Sequence, residues 1–194
     1  MGGTTIIENI GQRDIYKSFW NGFSGKADNA SMMLNKNADE LEAFDREDIL
    51  AALPDYNGMD VLDIGAGIGR FTSVFAQRAR HVTTTDFIEQ FIEKNRQRNA
   101  HFRNISYKVS DAVSLKMEPG SLGLIFSNWL MMYLSDADVL QFLQNALLWL
   151  QPGGFLHLRE SCSESSTGRV SSSLHSALFT NPTRYRFSSV YIEL

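Results

Sequence analysis

The sequence predicts an α/β fold in which helices cover both faces of a doubly wound, mostly parallel sheet. Two observations predict it. Short apolar segments alternate along the chain with amphipathic ones, and three glycines in five residues follow the first strongly apolar segment. Alternation of this kind is typical of a parallel sheet, because each parallel strand is joined to the next by a crossover helix. A glycine cluster between a strand and a helix is typical of a loop that holds a nucleotide.

Five segments have the composition of strands. The fourth is apolar almost throughout, which is typical of a strand buried on both faces of a sheet. The predicted strands are residues 60–65, 81–86, 105–111, 122–128 and 154–161.

Five segments have the pattern of helices. In the second of them, Leu41, Phe44 and Ile49 recur at roughly helical spacing, and the pattern stops before Pro54. The last one ends at the sequence QPGG, where proline and glycine favour a turn. The predicted helices are residues 13–23, 38–52, 69–79, 87–100 and 136–150.

Composition and charge narrow the class of protein. The 194 residues are 43% hydrophobic and 21% charged with a net charge of −4, which gives no bulk electrostatic reason to expect a nucleic-acid partner. One cysteine, Cys162, excludes an intrachain disulfide, and the N-terminus has no secretory pattern. No stretch is apolar enough to span a membrane. We therefore expect a cytoplasmic protein, and the sequence leaves its oligomeric state open.

The glycine cluster does not have the spacing of a dinucleotide loop. Gly65 and Gly67 match the first two positions of G-x-G-x-x-G, but the third falls on Arg70. The spacing present is G-x-G-x-G, which includes Gly69 and is preceded by Asp63. No Gly-Lys-Ser/Thr follows, so a triphosphate loop is disfavoured. A nicotinamide oxidoreductase is thus a distant alternative.

Two further acidic residues end predicted strands. Asp86 lies 21 positions after Gly65, where a carboxylate can accept hydrogen bonds from both hydroxyls of a ribose. Asp111 ends the third strand and is placed to meet the amino group of an adenine. Ligands bind at this edge of open α/β sheets. An aspartate at a strand end is also a common cap of the next helix, and that alternative stays open.

Taken together, the pattern of these residues resembles that of the Rossmann-like class I methyltransferases, which use S-adenosylmethionine. The resemblance implies that Asp63 lies near the amino-acid end of this cofactor and that the following residues also belong to the site. The candidate cofactor-binding residues are Asp63, Gly65, Gly67, Gly69, Arg70, Asp86, Phe87, Asp111, Ala112, Ser127 and Asn128. Four histidines are scattered along the chain, so no metal site is predicted.

Longer strings resemble a narrower family. GAGIGRFT (65–72), TDFIEQFIEKN (85–95), SNWLMMYLSD (127–136) and LRESCSESSTGR (158–169) are similar to phosphoethanolamine N-methyltransferases of plants and nematodes, and NPTRYRFSSVYIEL (181–194) continues the similarity. The resemblance implies methyl transfer from S-adenosylmethionine to phosphoethanolamine, on the route to phosphocholine and phosphatidylcholine.

A basic and aromatic segment near the C-terminus is the candidate phosphate site. Arg184, Tyr185, Arg186 and Tyr191 supply donors for charge-assisted hydrogen bonds to a phosphate within eight residues. Such a mixture is also common on a solvated helix face.

Aromatic residues after the fourth strand are the candidates for binding the amine. Trp129 and Tyr133 could attract an ammonium group through their rings, although Trp129 could equally be packing. In single-domain protozoan relatives a histidine that pairs with a tyrosine follows this strand. Here its position is occupied by Tyr133, so Tyr16 and Tyr133 are the candidate catalytic residues and the proton acceptor stays open.

Three regions are predicted: a helical cap over 1–53 that contributes to the acceptor site, a cofactor-binding core over 54–161, and a loop with the start of an acceptor-binding segment over 162–194. The class I methyltransferases that this chain resembles have a seven-stranded sheet. Five strands are predicted here, so the C-terminal strands are expected to be missing. Two alternatives stay open: a methyltransferase for another small metabolite, and a truncated, non-catalytic module that binds the cofactor.

Overall fold

A computed structural model of the chain describes residues 14–34, 36–161 and 187–193. Over these residues, the strands form one sheet with the order β3-β2-β1-β4-β5-β6. The strands β1 to β5 are mutually parallel, and β6 runs antiparallel to β5. The bounds are β1 (Asp60–Ile64), β2 (His81–Asp86), β3 (Ile105–Val109), β4 (Leu122–Asn128), β5 (Leu150–Ser161) and β6 (Phe187–Glu193).

The order of the strands confirms the predicted doubly wound fold. The chain moves outward from β1 through β2 to β3, then returns to the other side of β1 with β4 and continues to β5. The direction of winding therefore reverses between β1 and β4. Ligands of open α/β sheets bind at such a reversal, outside the carboxyl ends of the strands.

All five predicted helices are present, and the described part of the chain contains one more. The additional helix, α2, begins after Asp28, whose carboxylate accepts a hydrogen bond from the backbone N–H of Ser31 at 2.8 Å. In the described residues no helix is long and apolar enough to cross a bilayer. The helices are α1 (14–21), α2 (Asn29–Met33), α3 (Ala38–Ala51), α4 (Thr72–Ala76), α5 (Glu89–Arg98) and α6 (Asp136–Trp149).

The structure corrects two predicted boundaries. The helix expected over 69–79 is reduced to Thr72–Ala76, because Gly69 has a φ of 80° and cannot join a right-handed helix. The turn expected at QPGG lies inside β5. Leu150 pairs with Leu122 and Phe155 pairs with Leu124, so the proline and glycines form a bulge within the strand.

The last strand, β6, was not predicted. It pairs with β5 from Ser161 opposite Phe187 to Phe155 opposite Glu193. The basic and aromatic side chains of this segment indicated a phosphate site, whereas its β-branched and aromatic composition favours a strand.

Alternate residues of the central strands enter different cores. On β1, Val61 joins the cluster on the α4 face, whereas Leu62 joins the cluster on the α6 face. On β4, Leu124 and Ile125 divide in the same way. Because side chains alternate along a strand, burial of both faces requires the continuous apolar runs that predicted these strands.

The helices α1 to α3 and the described residues that connect them, which we call the cap, pack over the carboxyl edge of the sheet. Trp20 and Ala27 of the cap form a buried cluster with Ile68 of the glycine loop and with Ile88 and Phe91 at the start of α5. This packing places the cap above the loops that follow β1 and β2.

Candidate active site

A cavity of about 500 Å³ opens between the cap and the carboxyl ends of β1, β2 and β4. Its position is the one that the reversal of strand order predicts. Nine of the residues predicted from the sequence line it: Asp63, Gly65, Gly67, Arg70, Asp86, Phe87, Asn128, Trp129 and Tyr133.

The glycine loop brings backbone close to the cap. Gly67 has a φ of 53°, and a Cβ atom on it would lie 3.0 Å from the sulfur of Met32. Gly69 serves a different purpose, because a Cβ atom there would lie 2.2 Å from the side chain of Asn95. Gly67 therefore shapes the cavity, whereas Gly69 allows the loop to pack on α5.

Asp86 fixes the loop from the end of β2. One of its oxygens accepts a hydrogen bond from the N–H of Gly67 at 2.9 Å, and the other accepts from Ile88 at 2.9 Å. Burial raises the pKa of the Asp86 carboxyl to about 6, against the effect of these hydrogen bonds. The group is thus ionised at neutral pH, and a carboxylate has lone pairs left for a ligand.

Asp63 lies deeper, at the end of β1. It accepts a hydrogen bond from the hydroxyl of Thr72 at 2.5 Å, and Thr72 is linked in turn to Thr84 and Asn95. Burial raises the pKa of the Asp63 carboxyl to about 7. This network joins β1, β2, α4 and α5 directly beneath the cavity.

Of the predicted site residues in 14–34 and 36–161, five are not among those that line the cavity: Tyr16, Gly69, Asp111, Ala112 and Ser127. Asp111 accepts hydrogen bonds from the N–H groups of Val113 and Ser114, at 3.0 and 2.9 Å, and so caps the turn after β3. Ala112 and Ser127 are buried. Their contact with a cofactor stays a prediction.

The aromatic residues after β4 form one wall of the cavity. Trp129 has a φ of 59°, and the guanidinium groups of Arg159 and Arg70 lie 5.3 and 6.0 Å from the centre of its ring. Tyr133 packs edge-on against Tyr16, with ring centres 5.2 Å apart. Trp129 therefore makes packing contacts, as the interpretation of this residue as a packing residue predicts, and it also lines the cavity.

Tyr133 keeps its proton at neutral pH. Burial, supported by the nearby charge of Glu160, raises the pKa of the Tyr133 phenol to about 12. A phenol with this pKa can donate or accept a hydrogen bond, but it is a poor source of phenolate. The side chain is therefore suited to orienting a ligand.

The candidate phosphate residues Arg184, Tyr185 and Arg186 lie outside the described residues. Tyr191 belongs to β6, where its backbone lies opposite His157 of β5. The assignment of these four residues to a phosphate stays a prediction. Within the described ranges, no group of three or more His, Cys, Asp or Glu side chains is arranged to hold a metal ion.

The sequence predicts that residues 1–53 contribute to the site, but it does not indicate which of their side chains line the cavity. Met32, Phe44, Asp45 and Asp48 all line it. They precede Gly65 by 17 to 33 positions, in regions without a recognisable motif, and only the packing of the cap brings them to the site.

Glu160 lies near the end of β5, at the same edge of the sheet. Its Oε1 atom accepts hydrogen bonds from the N–H groups of Leu130 at 2.9 Å and Met131 at 3.0 Å. It therefore holds the turn that carries Trp129 and Tyr133. Burial raises the pKa of the Glu160 carboxyl to about 7, against those hydrogen bonds.

Replacing Glu160 with glutamine is expected to change how stability depends on pH. Because folding raises the pKa of this acid, its contribution is fully present below about pH 4.5 and is lost as the pH rises through about 7. Glutamine keeps the acceptor and cannot ionise. Urea unfolding should show that E160Q gains about 2 kcal/mol over the parent between pH 5 and pH 8. A gain that is independent of pH would contradict this, and the exposed Glu118→Gln is the control.

Comparisons with known proteins agree with this geometry. The family described as "Methyltransferase domain" matches residues 61–154. Phosphoethanolamine N-methyltransferase 1 of Caenorhabditis elegans is 58% identical over 192 residues, and that of Triticum aestivum is 39% identical over 200 residues. These matches cover 98% and 100% of this chain but only 40% and 39% of the relatives.

A solved structure is similar in both sequence and fold. Phosphoethanolamine N-methyltransferase 1 of Haemonchus contortus, in complex with phosphoethanolamine and S-adenosylhomocysteine, has 60% identity and a TM-score of 0.78. The match covers 91% of this chain and 38% of that one. The chain therefore spans about two fifths of the length of these relatives.

Proposed function

We propose that this chain, which is similar to phosphoethanolamine N-methyltransferases, belongs to that family and transfers a methyl group from S-adenosylmethionine to the amine of phosphoethanolamine. The observation that carries the proposal is the cavity that joins the glycine loop and Asp86 to the aromatic wall of Trp129 and Tyr133. The product would lie on the route to phosphocholine, and we place the reaction in the cytoplasm.

The residues of the cavity suit S-adenosylmethionine. Asp86 is ionised, held in place by two backbone N–H groups and open to the cavity, as an acceptor for two ribose hydroxyls must be. The backbone at Gly65 and Gly67 can approach a ligand closely. Asp63 is available for the amino-acid end. When bound, the cofactor supplies an electrophilic methyl group.

The chain's own residues would align the acceptor. The amine of phosphoethanolamine must lose a proton before its lone pair can attack, and holding both reactants in line lowers the barrier further. Tyr133 keeps its own proton, so we assign it the task of orienting the amine through its hydroxyl oxygen. The ring of Tyr16 fixes Tyr133 from the cap. We propose Trp129 as a second contact, and Arg184, Tyr185, Arg186 and Tyr191 for the phosphate.

Adding a methyl group at Gly67 is expected to weaken the cofactor site. Gly67→Ala places a Cβ atom 3.0 Å from Met32 and imposes a left-handed conformation on alanine. Calorimetry should show about a tenfold or greater rise in the dissociation constant of S-adenosylhomocysteine.

The matched control for this variant is Gly58→Ala. Gly58 has a φ of 71° but no neighbour within 4 Å of its Cβ position, and it does not line the cavity. It shares the backbone strain of G67A without the crowding. Equal losses of affinity in the two variants would show that Gly67 does not shape the site.

Calorimetry separates the candidate functions. Binding of S-adenosylhomocysteine but not NADH is expected, and the reverse result would overturn the proposed cofactor. With that ligand bound, phosphoethanolamine should bind more tightly than ethanolamine. Equal binding of the two amines would favour a methyltransferase for another metabolite, and no binding of either would favour a non-catalytic module.

A further inference from the structure

Four charged side chains form a buried cluster between the cap and the core, which we call the cap–core cluster: Glu42, Asp45, Arg70 and Arg159. All four side chains are 10% exposed or less. Glu42 and Asp45 belong to α3, Arg70 follows the glycine loop, and Arg159 belongs to β5. The cluster thus joins three parts of the chain that are distant in sequence.

Asp45 is at the centre of this cluster. Its Oδ1 atom accepts from the guanidinium of Arg159, and its Oδ2 atom accepts from that of Arg70 at 3.3 Å. Arg70 is also paired with Glu42. Removing one partner of a buried ion pair is costly, because it leaves the other charge desolvated without compensation.

The two arginines reach Asp45 from different elements, and both line the cavity. Arg70 follows directly on the glycine loop, where the cofactor is proposed to bind. Arg159 donates to the side-chain oxygen of Asn128 at 3.0 Å, and its backbone carbonyl accepts from the N–H of Trp129 at 2.8 Å. Both guanidinium groups also lie near the ring of Trp129.

We infer that Asp45 is a positioning residue that couples the glycine-loop side of the cavity to the aromatic wall. Both sides are held by one carboxylate on the cap, so a ligand that orders the glycine loop also orders α3 and, through Arg159, the wall that faces the acceptor. The inference rests on the proposed function in naming the two ligands. The coupling requires that Asp45 binds both arginines, because a contact with one arginine alone would hold only one side of the cavity.

Hydrogen exchange of α3 tests this coupling in Asp45→Asn, which keeps the shape and removes the charge. In the parent, S-adenosylhomocysteine should slow exchange of the α3 amides. In D45N, exchange without ligand should be about tenfold faster, and the ligand should slow it by no more than about twofold. Asp45→Glu, which restores the carboxylate, should recover part of the response.

Two further variants distinguish coupling from simple loosening of the cap. Ile49→Ala removes a buried apolar contact of α3 and should speed exchange while it keeps the response to ligand. Asp55→Asn breaks the exposed pair with Arg78 and should change neither the exchange rate of α3 nor its response to ligand. An α3 response in D45N equal to that of the parent would overturn the inference.

The outcome can be separated from failure of the proposed function. If S-adenosylhomocysteine does not bind to the parent, the proposed function fails, and the comparison of D45N with D55N without ligand decides whether Asp45 holds the cap. If D45N does not fold, Arg159→Lys is measured instead. That variant keeps the charge but loses the forked geometry, and an unchanged α3 response in it would overturn the inference.

Discussion

Replacing Asp86 with alanine is expected to raise the dissociation constant of S-adenosylhomocysteine about 100-fold or more. The variant removes the proposed acceptor for two ribose hydroxyls, and hydrogen bonds to a charged group are worth about 1.5 to 3 kcal/mol each. It also releases the N–H of Gly67, which Asp86 holds at 2.9 Å. Calorimetry with the purified chain measures the change.

The control for Asp86→Ala is Asp60→Asn. Asp60 begins β1 at the opposite edge of the sheet, where it pairs with the exposed side chain of Arg80. We expect the affinity of D60N for S-adenosylhomocysteine to stay within about twofold of that of the parent, because exposed ion pairs contribute little to stability. An affinity of D86A equal to that of the parent would remove Asp86 from the cofactor site.

Replacing Tyr133 with phenylalanine is expected to lower kcat about 10- to 100-fold while the affinity for S-adenosylhomocysteine changes by less than about twofold. The variant keeps the ring that packs against Tyr16 and Trp20 and loses the hydroxyl proposed to orient the amine. The pKa of the phenol is about 12, so the phenol does not ionise near neutral pH. The dependence of kcat on pH near neutrality should therefore be the same in Y133F and in the parent.

The control for Tyr133→Phe is Tyr107→Phe. Tyr107 lies on the edge strand β3, beside the guanidinium of Arg96, and it does not line the cavity. We expect its kcat to equal that of the parent. A kcat of Y133F that matches that of Y107F would show that the hydroxyl of Tyr133 takes no part in the reaction.

Local patterns predicted the residues on the side of the cavity where the cofactor is proposed to bind. Asp63 and Asp86 lie at the carboxyl ends of β1 and β2, and Gly67 lies in the loop that follows β1, so the sequence neighbourhood that makes each strand also places the residue at the sheet edge. The alternation of strands and helices fixes that edge, since parallel strands end on the same side. These predictions needed no knowledge of long-range packing.

The individual residues that form the cap side of the cavity could not be predicted in the same way. Asp45 acquires its role from Arg70 and Arg159, which lie 25 and 114 positions away, and nothing in the sequence near these residues indicates the pairing. Glu160 is a similar case, because its partners are backbone N–H groups about 30 positions earlier. Contacts of this kind depend on how the cap and the turn after β4 pack on the sheet.

Transfer of a radiolabelled methyl group tests the central claim most directly. The 194-residue chain is incubated with labelled S-adenosylmethionine and either phosphoethanolamine or ethanolamine, and the labelled product is separated and counted. The account predicts label in the phosphorylated amine, little in ethanolamine, and loss of transfer in D86A. No transfer to phosphoethanolamine by a folded chain that binds S-adenosylhomocysteine would contradict it.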